Sequence, residues 1–182
     1  MEPQPRNSVR VFQPKIATDP KCAANATFCE ETDLYPYDHF KYILERNATL
    51  GKAFDMNQQR EEVAQRLNPF EDNFVCKSIS RTVFPKAALN KNNKWKFIIN
   101  QDKYLQGVSV EVCHRENAPC DLIGDIRPGY ITYCKQKYIY SKLLSLNDRG
   151  NPAVDLFKIP SACCCAYMKQ EYDPFVETGP RM

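Results

Sequence analysis

Nine cysteines, at 22, 29, 76, 113, 120, 134, 163, 164 and 165, constrain this chain more than any other feature. None falls between Cys29 and Cys76, seven lie beyond that gap, and the series ends in an unbroken triplet. In an extended strand alternate side chains share a face, so Cys163 and Cys165 point one way and Cys164 the other. Two bridges from Cys163 and Cys165 to Cys113 and Cys120 would close a ring, and a Cys76–Cys134 bridge could thread it. Six cysteines allow fifteen pairings, so spacing alone does not select this one. A loop of about 50 residues closed by one bridge is worth roughly 4 kcal/mol of unfolded-state entropy.

Such staples suit a chain with a thin core. Only 43% of its 182 residues are hydrophobic, and cross-links then substitute for burial. Zinc is disfavoured. There is no CxxC pair, His39 and His114 are the only histidines, and three adjacent cysteines cannot supply three tetrahedral corners without heavy distortion. Neither histidine sits in a catalytic motif, and there is no nucleophile elbow or glycine-rich phosphate loop. We therefore expect no catalysis, no metal and no cofactor. Residues 1–66 carry nine basic and ten acidic groups, and residues 67–182 carry sixteen and twelve. The second part is modestly basic, which favours an acidic protein partner over nucleic acid.

The opening MEPQPRNSVR has no apolar leader and no segment is long enough to span a bilayer. Secretion then implies that a signal peptide has been removed. The sequons Asn25-Ala26-Thr27 and Asn47-Ala48-Thr49 agree with export, Asn25 and Asn47 being the acceptors.

Residues 1–21 contain four prolines and no periodicity, an extended lead. Cys22 and Cys29 are close enough to bridge. Leu34, Tyr35, Tyr37, Phe40, Ile43 and Leu44 give an apolar face on a short helix from about Asp38 to Arg46. The stretch Met56 to Leu67 favours helix by propensity. Nothing in residues 1–66 makes a core of its own, so this part leans on its neighbour.

Beyond Pro69 the period is two. Trp95, Phe97 and Ile99 share a face, and Val108, Val110 and Val112 alternate into Cys113, which predicts one hairpin turning at Asn100–Lys103. A second predicted hairpin runs from Ile131 to Leu146, turns at Asn147-Asp148-Arg149-Gly150, and returns from Val154 to Tyr167. Gly107 is expected at a bulge or bend, and Pro119, the stretch 124–129 and Pro160 at corners. The tail from Gln170 is expected to be mobile.

These residues resemble a known family. Phe74-Val75-Cys76-Lys77-Ser78-Ile79, Val83-Phe84-Pro85-Lys86, Trp95 to Tyr104, Cys113, Pro119-Cys120-Asp121, Tyr133-Cys134-Lys135-Gln136 and Phe157-Lys158-Ile159-Pro160-Ser161 are similar to Spätzle, the neurotrophin-like cystine-knot ligand of insect Toll receptors. The resemblance covers about Phe74 to Met168. It implies a small all-β cystine-knot domain of elongated hairpins with bridges Cys76–Cys134, Cys113–Cys163 and Cys120–Cys165. It further implies a secreted proprotein, in immune or developmental signalling, cut by a trypsin-like clip-domain serine protease shortly before the first knot cysteine. The resulting homodimer engages a Toll-type leucine-rich-repeat ectodomain.

On that scheme residues 1–66 are the pro-segment, 67–169 the cytokine domain and 170–182 a flexible tail. Arg66 is the last basic residue before Cys76, so cleavage is expected between Arg66 and Leu67, with Arg60 as the alternative. The family's ending resembles Ser-Cys-Cys-x-Cys, whereas here Ser161 precedes Ala162 and the additional cysteine is Cys164. We expect Cys164 to bond its own copy across a twofold axis, the alternatives being a free or capped thiol or a non-covalent dimer. Trp95, Phe97, Tyr104, Tyr138, Tyr140 and Lys142 are candidate receptor contacts. Leu34, Tyr35, Tyr37 and Phe40 are the expected contacts of the pro-segment. The alternative reading is a secreted binding or inhibitor module without receptor agonism.

Overall fold

A computed structural model describes residues 26–47, 50, 54, 74–121 and 127–169. Its frame is one long antiparallel hairpin. Strand β6 (Tyr130–Leu146) pairs with β7 (Pro152–Lys169), from Tyr130 opposite Lys169 to Leu146 opposite Pro152. The Asn147 side chain makes the turn: its Oδ1 accepts from the N–H groups of Arg149 and Asn151, and Gly150 takes the left-handed φ of 78° the reversal needs. The two strands correspond closely to the expected second hairpin.

Pro160 is not at a corner. It lies inside β7 opposite Tyr138, where the register shifts between Lys137 and Tyr138. A bulge tolerates the missing proline N–H. The register irregularity falls there, and Gly107 lies on the connection entering β5 (Val108–Cys113).

The expected first hairpin does not form. Strand β4 (Trp95–Phe97) turns back on β3 (Ala87–Leu89), and β5 (Val108–Cys113) pairs instead with β2 (Ser78–Val83). The cause is the run Asn90–Lys94. Asn90 Oδ1 accepts from Asn92 and Lys94 N–H, and Asn93 adopts a φ of 56°, so the chain reverses there. Asn90 Nδ2 also donates to Asp155 on β7, tying this turn to the long hairpin. Ile98 and Ile99 then fall into different apolar clusters, Ile98 with Val83, Leu143, Phe157 and Ile159, and Ile99 with Phe97, Leu144 and Leu146.

The N-terminal part docks onto this β-domain. Strand β1 (Phe28–Cys29) adds to β3, giving a three-stranded sheet β1-β3-β4. Helix α1 (Tyr37–Arg46) begins after Pro36, carries Asp38 in its first turn and Arg46 in its last, and buries Phe40, Ile43 and Leu44 at helical spacing. These join Tyr35, Phe54, Phe97, Ile99, Leu144 and Leu146 in one cluster, so the helix has a core only because the β-domain supplies half of it. The helix expected over Met56–Leu67 and the tail from Gln170 lie outside the described residues.

Candidate functional site

Three bridges close the structure at the far end of the hairpin: Cys76–Cys134, Cys113–Cys163 and Cys120–Cys165. The latter two make a ring from segments 113–120 and 163–165. Their sequence separations of 58, 50 and 45 each correspond to roughly 4 kcal/mol of unfolded-state entropy. Gln136, buried on β6, accepts from the Cys113 N–H and donates to the Glu111, Lys137 and Ala162 carbonyls. It fastens the ring segments to the hairpin with bonds no spacing rule could reveal. The sulfurs of Cys76, Cys120 and Cys134 lie within 4.8 Å of one another, a spacing a metal could use. All three are consumed in bridges, and a metal needs thiolates.

The strand alternation is realised. Cys163 and Cys165 pack on the knot, and Cys164 sits opposite Lys135 with its thiol outside any bridge among the described residues. Cys29 is disulfide-bonded; Cys22 lies outside the described residues.

The second feature is the seam between the N-terminal segment and the β-domain. Tyr35 is its pin. The buried phenol donates to the Ile98 carbonyl at 2.9 Å and accepts from the Asn100 N–H at 2.7 Å. Burial pushes its pKa far above the ordinary tyrosine value, outweighing the opposing Asn100 bond, so it stays a neutral donor. Asn100 passes the link on: its Nδ2 donates to Pro85 and Gln106 carbonyls, and Gln106 bonds both Ile99 and Leu144 backbones. Nearby, the Lys86 ammonium contacts Glu31 and the Tyr37 hydroxyl, each at 2.7 Å, and lies over both Tyr35 and Tyr37 rings. Burial lowers the Lys86 pKa, but the Glu31 and Tyr37 contacts outweigh it and hold the group above its usual value. Arg81 pairs with Glu30 at 2.6 Å, and His39 Nε2 meets the Gly150 carbonyl at the hairpin turn at 2.7 Å.

Of the expected segment contacts, Tyr35 and Phe40 are buried in the seam and Tyr37 binds Lys86. Leu34 is 64% exposed, on a turn closed by the Tyr35 N–H donating to the Thr32 carbonyl. Ile43, Leu44 and Phe54 contribute more than Leu34 does.

The candidate receptor contacts divide. Phe97 is only 2% exposed, set against Tyr35 with ring centroids 6.1 Å apart. It is a covered core residue in this chain, since its strand faces the cluster the helix completes. Trp95 and Tyr104 are half-buried against that cluster, Tyr104 with its ring 5.2 Å from Phe54. Tyr138, Tyr140 and Lys142 stand exposed on β6, outside the cover. Asn47 is exposed after α1, its Nδ2 donating to the Ile43 carbonyl. Asn25, Arg60, Arg66 and Leu67 lie outside the described residues.

A disulfide-rich β-domain of this kind, ringed by two bridges and carrying a docked N-terminal segment, is a cystine-knot ligand. A family model described as Spaetzle matches residues 73–167. Protein spaetzle of Drosophila melanogaster is 32% identical over 164 residues, covering 88% of this chain and 49% of that protein. Neurotrophin 1 of the same organism is 26% identical, covering 94% of this chain and 21% of its own length. A crystal structure of a spatzle cystine knot aligns at 31% identity over 55% of this chain and 98% of that one, with a TM-score of 0.36. The chain belongs to the Spätzle family. It is a secreted, extracellular protein and not an enzyme. It spans about half the length of protein spaetzle and less of Neurotrophin 1.

Proposed function

We propose that the chain is the precursor of a ligand for Toll-type leucine-rich-repeat receptors, activated by a trypsin-like clip-domain serine protease that cuts between Arg66 and Leu67. Residues 1–66 act as the pro-segment, 67–169 as the signalling domain and 170–182 as a tail. Two cleaved copies, joined through Cys164, bring two receptors together in immune or developmental signalling. N-glycans on Asn25 and Asn47 and a Cys22–Cys29 bridge belong to the pro-segment.

The observation that carries this reading is the cover itself. Residues 26–47 with Leu50 and Phe54 add a strand to β3, bury Phe97 and half-bury Trp95 and Tyr104, and do so from the part of the chain that precedes the cut. Cutting the chain between the two parts makes their contact intermolecular. A receptor can then compete for the aromatic surface underneath.

The test is a reporter assay in cells carrying a Toll-type receptor. Protease-treated protein should signal, and untreated protein or an Arg66→Gln variant exposed to the same protease should not. Equal signalling by untreated protein would refute activation by cleavage. Receptor binding without signalling by treated material would point instead to an inhibitor module.

A further inference from the structure

We infer that the β6–β7 face around Tyr140 and Lys142 is a docking groove for carboxylate side chains of the receptor ectodomain, open before cleavage as well as after it. The inference rests on the receptor reading above and adds a second, uncovered surface to it.

Strand geometry assembles the groove. Tyr140 pairs across the hairpin with Lys158, and Lys142 with Leu156. Cross-strand partners, and residues two apart on one strand, share a face. Tyr140, Lys142, Leu156 and Lys158 therefore share one face of the hairpin. Gly107 and Val108, at the entry to β5, close one side of a depression of about 520 Å³ that Tyr140, Lys142 and Leu156 line.

Three properties make it a recognition surface rather than a solvated strand. First, Tyr140 is 56% exposed, and its hydroxyl makes no hydrogen bond among the described residues. Second, Lys142 forms no ion pair among the described residues, no acidic side chain lines the depression, and Lys158 lies 4.4 Å over the Tyr138 ring. Asp155, on the opposite face of β7, is held by Asn90 and Lys96. Glu116 acts on Tyr138, whose pKa burial raises and Glu116 raises further. Third, no described residue of the N-terminal segment lines the groove, in contrast to buried Phe97. The Lys142 ammonium, without an ion pair among the described residues, beside exposed aromatic and aliphatic groups is complementary to an acidic patch with an apolar margin. That complement commits the occupant to protein carboxylates.

The experiment measures binding of a Toll-type ectodomain to the full chain, uncleaved and protease-treated, for wild type, Lys142→Glu, Lys142→Arg and Tyr140→Ala. Lys142 is exposed, and melting curves verify that each variant folds. Lys142→Glu should weaken binding of both forms by about tenfold or more, while Lys142→Arg stays within about threefold of wild type. Reversing single Asp or Glu residues of the ectodomain to Lys should restore Lys142→Glu binding at one position. Unchanged affinity of Lys142→Glu, or a loss confined to the cleaved form, overturns the groove and leaves the receptor reading standing. Wild-type protein that binds the ectodomain in neither form overturns the receptor reading and the groove together. Loss of heparin binding by Lys142→Glu with ectodomain binding intact would assign the cations to a sulfated polysaccharide and overturn the proposal.

Discussion

Replacing Tyr35 with Phe isolates the pin that holds the N-terminal segment. The ring remains, so its contacts with Phe40 and Phe97, at centroid distances of 5.0 and 6.1 Å, are kept. Only the hydroxyl is lost, and with it the partners of two buried backbone groups, the Ile98 carbonyl and the Asn100 N–H. Each unsatisfied buried group costs about 1–3 kcal/mol, and because both share one site the sum is taken as about 2–3 kcal/mol. At about 1.4 kcal/mol per tenfold, that is a roughly 30- to 150-fold rise in the open population of this seam. Hydrogen exchange at the Asn100 amide reads it directly. A thermal melt should fall by roughly 5–10 °C. Tyr37→Phe is the control, since Tyr37 is half exposed and its hydroxyl meets the Lys86 ammonium rather than a buried backbone group. Asn100 protection within about threefold of wild type in Tyr35→Phe would refute the reasoning, because it would mean that the two backbone groups find other partners at no cost.

Phe97→Ala should cost about 3–5 kcal/mol by denaturant titration of the uncleaved chain, as the side chain is enclosed by the seam. Burial raises the Asp155 pKa, but bonds from Asn90, the Leu156 N–H and Lys96 outweigh it and hold the carboxyl below its usual value. Its contribution is therefore present above the unfolded value and lost as pH falls through the folded one. Asp155→Asn should flatten part of the stability decline below about pH 4, read by melts across that range. The Lys86 pKa is raised, so that contact is intact below the unfolded lysine value and lost on strong alkalinisation. Lys86→Met should speed dissociation of the cleaved segment by about fivefold in surface-binding kinetics, corresponding to about 1 kcal/mol. Cys164→Ser should convert a covalent dimer to monomer on a non-reducing gel while peptide mapping still finds the three knot bridges.

The cysteine triplet was readable because a period of two separates Cys163 and Cys165 from Cys164 whatever surrounds them. The long hairpin was readable for the same reason, with Asn147 and Gly150 marking its turn. Strand partners were not. Trp95–Ile99 and Val108–Cys113 both alternate, and nothing in that alternation says that the Asn90 side chain folds β4 onto β3. Strand β2 gave no amphipathic signal because five of its six residues are exposed. The docking of the N-terminal segment was legible only as an apolar cluster lacking a core. Its decisive bonds run from the Tyr35 hydroxyl to backbone groups at Ile98 and Asn100, and backbone acceptors leave no trace in residue identity. Leu34 illustrates the limit: it is as apolar as Tyr35 and adjacent to it, yet on the turn at Thr32–Tyr35 it is exposed to solvent.

The central claim is that the N-terminal segment covers a surface the receptor uses. The direct test is receptor-ectodomain affinity for the cleaved β-domain, measured with and without the separated N-terminal segment, alongside hydrogen exchange in β3 and β4. The account predicts that added segment lowers the affinity in proportion to its concentration and restores protection at Ala87–Leu89 and Trp95–Phe97. Unchanged affinity together with unaltered exchange would contradict it.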